Sequence, residues 1–333
     1  VTGEDANDQV QQWLRQYDEN EPRYEALEEE VGFTLTKAID SAGLKVHSIV
    51  GRVKDVETFL EKIVRKGYTE PFDQMVDLVG VRIVCLFIDD LDTVDGIIRR
   101  CFNVLKREDK VRSADPESWS YQSIHYDCIL ADSDSGARYD EIKAITFEIQ
   151  VRTILQDAWA TVEHYLAYKG LTTVPDALKR DFSALAGLFH IADDQFQKLS
   201  NASRQSEVEA EDQLGEAAAA GGVMDEPIRL NRSTLKAALR QMFSDRRESD
   251  DVQYSELVDQ LVHIGISDVS SLRQAIADGI DQAERFERKV PPRDDDGKKL
   301  RYTDVGMARM AVDVNNPTFR LLRGFKEPWK TID

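Results

Sequence analysis

The run GRVKDVETFLEKIVRKG (51–67) spaces Lys54, Thr58, Lys62 and Arg65 by four, four and three residues, while Val56, Phe59, Leu60 and Ile63 form an apolar stripe opposite them. Together these spacings describe one helix with a packing face and a cationic face. A row of cations of this kind suits a solvated surface or a cradle for a chain of phosphates. In the second case Arg52, just ahead of the helix, is placed to stack its flat guanidinium on a base. In DLVGVRIVCLF, Asp77 precedes an apolar run broken only by Arg82. Burying a guanidinium is costly unless it is paired or faces a ligand cavity, so Arg82 either pairs with Asp77 or meets a ligand. TFEIQVRT alternates: Ile145, Phe147, Ile149 and Val151 point one way, and Thr146, Glu148, Gln150 and Arg152 the other. That polar half suits a solvated sheet face, or a substrate-covered one offering a carboxylate to Mg²⁺. SYQSIHY adds the ring of Tyr121, the hydroxyl of Ser123 and the imidazole of His125. An aromatic opening a strand at the edge of a polar site suits base stacking as well as core packing.

The elements that must position these groups follow from the pattern around them. Residues 7–43 read as two helices, one with Trp13 and Leu14, the next with Tyr24, Leu27, Val31, Leu35 and Ile39 at helical spacing and Gly43 as its C-cap. LKVHSIVGR predicts a strand, 54–67 a helix, VGVRIVCLFI a buried strand, 90–104 a helix, and SIHYDCIL and AITFEIQVR two more strands. Strands and helices mixed in this order predict an α/β or α+β domain built on one sheet. A helical tract from 154 to about 201 closes a first domain, 1–201. Residues 202–225 lose apolar periodicity and end in small residues, which predicts a linker, helical in part. STLKAALRQMF, YSELVDQLVHIG and VSSLRQAIADGIDQAERF then predict a mainly helical accessory or regulatory domain over 226–333.

A 333-residue chain with 41% hydrophobic residues supports two such cores. No apolar run approaches the roughly 18 to 20 residues a membrane span needs, and VTGEDANDQV lacks the regions of a signal peptide, so the expected location is the cytoplasm, away from membranes. Cys85, Cys101 and Cys128 lie far apart and read as buried thiols. The net charge of −19 argues against indiscriminate polyanion binding. The acidity lies in the first 225 residues, whereas 226–333 is charge-balanced. A phosphate site in the first domain must therefore be a local cluster of cations.

In order and spacing, GRVK with its basic helix, DLVGVRI, YQSIHY, FEIQVRT and DAWATVEHYLAYK resemble the synthetase domain of RelA/SpoT homologues, small alarmone synthetases in particular. The resemblance runs from about residue 20 to 200 and stops short of the last third. It implies an α+β fold with a nucleotidyltransferase-like mixed sheet flanked by helices. The activity it implies is transfer of the β,γ-pyrophosphate of ATP to the 3′-hydroxyl of GDP or GTP with Mg²⁺ as cofactor. By motif position, Arg52 and Arg82 would sandwich adenine, and Lys54, Thr58, Lys62 and Arg65 would hold the phosphates. Asp77 and Glu148 would bind Mg²⁺, with Glu148 also helping to activate the hydroxyl. Tyr121 would stack on guanine, and Ser123, His125, Gln150, Arg152 and Asp157 would line the acceptor side. A homo-oligomer is a further expectation.

Three departures qualify the resemblance. Thr58 stands where relatives often carry Ser, Ser120 where Gly is usual, and Asp157 where many place an Asn that reads the guanine edge. A carboxylate still accepts hydrogen bonds from guanine N1 and N2 together. None of the five histidines is followed by Asp, the dipeptide of the family's hydrolase site, which leads us to expect a synthetase without a hydrolase. Two competing readings are a toxic relative that pyrophosphorylates the 3′ end of tRNA, and a catalytically dead nucleotide-binding regulator. A basic path to the acceptor pocket would favour the first, and retention of both Asp77 and Glu148 speaks against the second.

Overall fold

The computed structural model describes residues 3–109, 123–168, 176–219, 227–294 and 296–324. In place of the two helices expected in 7–43 there is one, α1 (Gly3–Ser41), which runs through Pro22. Its apolar stripe explains the continuity: Tyr17, Tyr24, Leu27, Val31, Leu35 and Ile39 keep one buried face across the proline. The rings of Tyr17 and Tyr24, two turns apart, meet at 5.9 Å. Burial along the whole stripe outweighs the backbone hydrogen bond lost at proline. Gly43, at φ 65, takes the left-handed conformation that ends the run.

Next come β1 (Val46–Val53), α2 (Val56–Lys66), α3 (Pro71–Gln74), β2 (Val79–Cys85), α4 (Ile88–Cys101), β3 (Phe102–Asp109), β4 (Ile124–Leu130), β5 (Phe147–Thr153) and α5 (Ile154–Tyr168). Strand β3 departs from the sequence reading, which carried the helix to 104. It pairs only with β4 and lies at the sheet edge, where a strand needs few apolar residues and so leaves a weak pattern. The sheet order is β1-β2-β5-β4-β3; β2 and β5 are parallel and the remaining pairs antiparallel. This is the mixed sheet flanked by helices that the resemblance implies. Helices α1 and α4 pack on its apolar face, where Val81, Ile83, Tyr126, Phe147, Ile149 and Val151 are buried in one cluster with the α1 stripe, Val94 and Ile98. The other face is polar and is considered below. The cysteines are free; Cys85 and Cys128 are buried as expected, whereas Cys101, at the end of α4, is only half-buried.

The chain divides into two units, 1–200 and 201–333, with the division inside α6 (Asp176–Ala219). The linker expected at 202–225, helical in part, is helical throughout 202–219 as the continuation of α6, while 220–226 lie outside the described residues. Alanine, read there as a linker residue, is the strongest helix former, and Ala210 and Leu214 are buried in the second unit's core. That unit adds α7 (Arg232–Met242), α8 (Asp251–His263), α9 (Val269–Lys289), α10 (Asp304–Asn315) and α11 (Pro317–Leu322), helical as predicted. Side chains of Asn231, Asp250, Asp268, Thr303 and Asn316 cap these helices in turn. Gly279 lets α9 and α10 approach closely: a Cβ there would lie 2.0 Å from the Ala311 carbonyl oxygen.

Candidate active site

The sheet register assembles the polar face. Directly paired residues share a face, so Val50, Arg82, Gln150, His125 and Glu108 form one row across five strands. Arg52, Gly80, Glu148, Asp127 and Lys106 form the row beside it. Gly80 stands between Arg52 and Glu148 and, having no side chain, leaves the floor between them open. The cleft above it, of about 230 Å³, is lined by Arg52, Asp77, Gly80, Arg82, Glu148, Gln150 and Asp157 together with Ser48, Val50, Val81 and Val84. A neighbouring hollow of about 340 Å³ lies against Arg52, Arg82, Gln150, Arg152, Ala160 and Thr161. Sequence reasoning missed Ser48, Val50, Val84, Ala160, Thr161 and Asp127. The alternation Ser48, Val50, Arg52 was the available signal for two of them.

Asp77 does not pair with Arg82, as one reading of the sequence had it. Its Oδ2 lies 3.2 Å from Lys54 Nζ and its Oδ1 2.6 Å from Lys62 Nζ, with Lys54 only 5% exposed. The contact to Lys62 lacks hydrogen-bond geometry, so buried Oδ1 has no hydrogen-bond partner. Lys54 and Lys62 reach this point because α2 starts where β1 ends: Asp55 caps the helix by accepting from the Thr58 backbone N–H. The Thr58 hydroxyl is itself donated to Asp55 Oδ2 at 2.8 Å, so in this state it serves the cap. Arg65 is exposed in the last turn of α2 and lines neither hollow. Tyr121 lies outside the described residues.

Glu148 is the most constrained carboxylate of the face. His125 Nδ1 lies 2.7 Å from its Oε1, Gln150 Nε2 donates to its Oε2 at 2.6 Å, and His125 Nε2 lies 2.6 Å from the hydroxyl of buried Ser123. Burial pushes the Glu148 carboxyl up, but hydrogen bonding to His125, the His125 charge, the Gln150 hydrogen bond and the charge of Lys62 together hold it down at about 2. Across the β4–β5 pair, Asp127 is pushed up by burial and by Glu148. Arg152 Nη2 donates to Gln150 Oε1 at 2.8 Å. Arg82 and Arg152 both approach Asp157 Oδ1, at 3.2 and 3.4 Å, and the Nε of each is buried with no hydrogen-bond partner. Burial and the Arg82 charge lower the Arg152 guanidinium. The face thus presents the carboxylates of Asp77 and Glu148, a cationic end at Arg82 and Arg152, and guanidinium Nε donors without hydrogen-bond partners, an arrangement suited to a phosphorylated ligand with a hard cation.

Residues 51–173 match the model for the region found in RelA/SpoT proteins. The GTP pyrophosphokinase YwaC of Bacillus subtilis is 32% identical over 150 residues, covering 43% of this chain and 69% of YwaC. The chain belongs to the RelA/SpoT family. The GTP pyrophosphokinase YjbM of the same organism is 33% identical over 138 residues, covering 40% of this chain but only 62% of YjbM. Among solved structures, the small alarmone synthetase 1 of Bacillus subtilis has 26% identity and a TM-score of 0.49, covering 58% of this chain and 98% of that one. The family match ends within the first unit, so the second unit lies beyond it. Among the described residues no helix is long and apolar enough to cross a membrane.

Proposed function

We propose that the first unit is a pyrophosphokinase that moves the β,γ-pyrophosphate of ATP to the 3′-hydroxyl of GDP or GTP. The observation that carries this reading is the convergence of Arg52, Arg82, Asp77, Glu148 and Gln150 on one cleft. Its two matched relatives are both named GTP pyrophosphokinases. On this reading Arg52 and Arg82 hold the adenine, and Lys54 and Lys62 meet the phosphates. Arg152, Gln150, His125 and Tyr121 serve the acceptor.

The donor set fits Mg²⁺, since that ion takes one or two carboxylates and completes its shell with water and phosphate oxygens. Asp77 and Glu148 supply the carboxylates, and Asp77 Oδ1, held by the Lys62 charge at 2.6 Å, accepts no hydrogen bond. Bound there, the ion would neutralise phosphate charge. Glu148, ionised far into the acid range, accepts a hydrogen bond from the 3′-hydroxyl and orients it. The 3′-oxygen then bonds to the β-phosphorus as the bond from that phosphorus to the oxygen bridging it to the α-phosphate breaks; AMP departs with the bridging oxygen, and the hydroxyl proton passes by way of Glu148 to water. Lys54 and Lys62 compensate the charge shed onto the leaving AMP, so catalysis rests on positioning and electrostatics.

The test is incubation of the purified chain with γ-labelled ATP, Mg²⁺ and GDP, GTP, GMP or bulk tRNA. Label in GDP or GTP is expected. Label in tRNA alone would replace the acceptor, and label in none would overturn the reading.

A further inference from the structure

The polar contacts of the face form one chain: Arg82 to Asp157, Asp157 to Arg152, Arg152 to Gln150, Gln150 to Glu148, Glu148 to His125 and His125 to Ser123. Asp157 is its hinge, for two guanidiniums converge on its single Oδ1. Among the described residues no other carboxylate pairs with either arginine. We infer that Asp157 is a positioning residue that couples the two halves of the cleft, so that filling the donor side strengthens binding on the acceptor side and the reverse. The inference rests on the proposed function, which puts Arg82 with the donor and Arg152 with the acceptor.

The two arginines differ in freedom. Arg82 is 37% exposed and Arg152 11% exposed, and their contacts to Asp157 are long, at 3.2 and 3.4 Å. One carboxylate oxygen shared in this way holds neither guanidinium tightly. An adenine stacked on Arg82 immobilises that guanidinium and with it Asp157. Arg152 is then held by a fixed partner and, through Gln150, so is Glu148. The second nucleotide therefore meets a site whose ordering cost has already been met, which is positive cooperativity by linkage. Without the Asp157 charge the two like-charged guanidiniums repel, and each must be ordered by its own ligand. A mere structural role for Asp157 would alter both affinities but leave untouched the factor by which each ligand strengthens the other.

The experiment is calorimetric titration of the full chain, in Mg²⁺, with an α,β-methylene analogue of ATP that cannot transfer its pyrophosphate, with and without saturating GDP. The reciprocal titration and a product assay with ATP accompany it. Wild type should bind the analogue at least about fivefold tighter with GDP present, the lower end of ordinary coupling. In Asp157→Asn, which preserves volume and shape, and in Asp157→Ala, the factor should fall to about twofold or less, whatever the separate affinities become. Melting curves establish that each variant is folded. Independent binding in the wild type, or undiminished coupling in Asp157→Asn, overturns the inference while product formation leaves the proposed function standing. A wild type that binds neither nucleotide and makes no product overturns both.

Discussion

Asp77 reads from the sequence as a carboxylate facing a ligand, whose replacement by Asn would silence the enzyme at no cost to folding. The structure predicts a cost. Its carboxylate compensates Lys54, which is 5% exposed, and Lys62, which is 17% exposed. Removing one partner of a buried pair costs about 3–5 kcal/mol, because the remaining charge stays desolvated. Lys62 can turn toward water and an Asn carbonyl still accepts one hydrogen bond, so we expect the lower end, about 3 kcal/mol. For a unit of this size that is a drop of roughly 6–12 °C in Tm. The assay is calorimetry on the wild type, Asp77→Asn, Lys54→Met and the double variant, beside pyrophosphate transfer. Both single variants should melt early, and the double should recover at least about 1 kcal/mol of the summed loss, the signature of direct contact. Transfer should be lost in Asp77→Asn and should stay lost in the double variant, since on the proposed reading a phosphate-holding lysine and a metal carboxylate are then both gone. An Asp77→Asn protein that melts within about 1 °C of wild type would refute the pairing argument. Substantial turnover in it would remove Asp77 from the Mg²⁺ site.

Three further outcomes are expected. Asp95 is pushed up by burial, but hydrogen bonds from Arg99, Tyr126 and Arg107 bring it from 3.8 down to about 2. Its contribution is therefore complete above pH 3.8 and lost as pH falls toward 2; Asp95→Asn should cost about 2 kcal/mol at pH 7 and flatten acid unfolding in that window. Tyr121→Ala should weaken acceptor binding by about 1–3 kcal/mol and spare the ATP analogue, as separate titrations would establish; equal losses would make the ring structural. Residues 1–200 should purify as a folded unit by circular dichroism and size exclusion, whereas a chain cut at 222 would keep Ala210 and Leu214 without the rest of their cluster and should self-associate.

What the sequence determined by itself is what periodicity encodes. Alternation in FEIQVRT put Glu148, Gln150 and Arg152 on one face, the helical spacing after GRVK put Lys62 beside Thr58 on another, and the structure keeps both groupings. These patterns are legible because a strand or helix repeats its exposure every two or 3.6 residues, and burial of one side enforces the repeat. Edge strand β3 escaped because one neighbour demands little apolar surface, and the full extent of the helix over 202–219 because alanine carries propensity without periodicity. Partner choice among charges was decided only in three dimensions. Arg82 sits five residues from Asp77 yet pairs with Asp157, because β2 is flanked by β5, which runs straight into α5, while Asp77 turns to Lys54, just ahead of α2, and Lys62, within it. Strand order and register set those distances through space, and the cost of leaving a half-buried charge alone then selects the nearest opposite one, information that no local spacing contains.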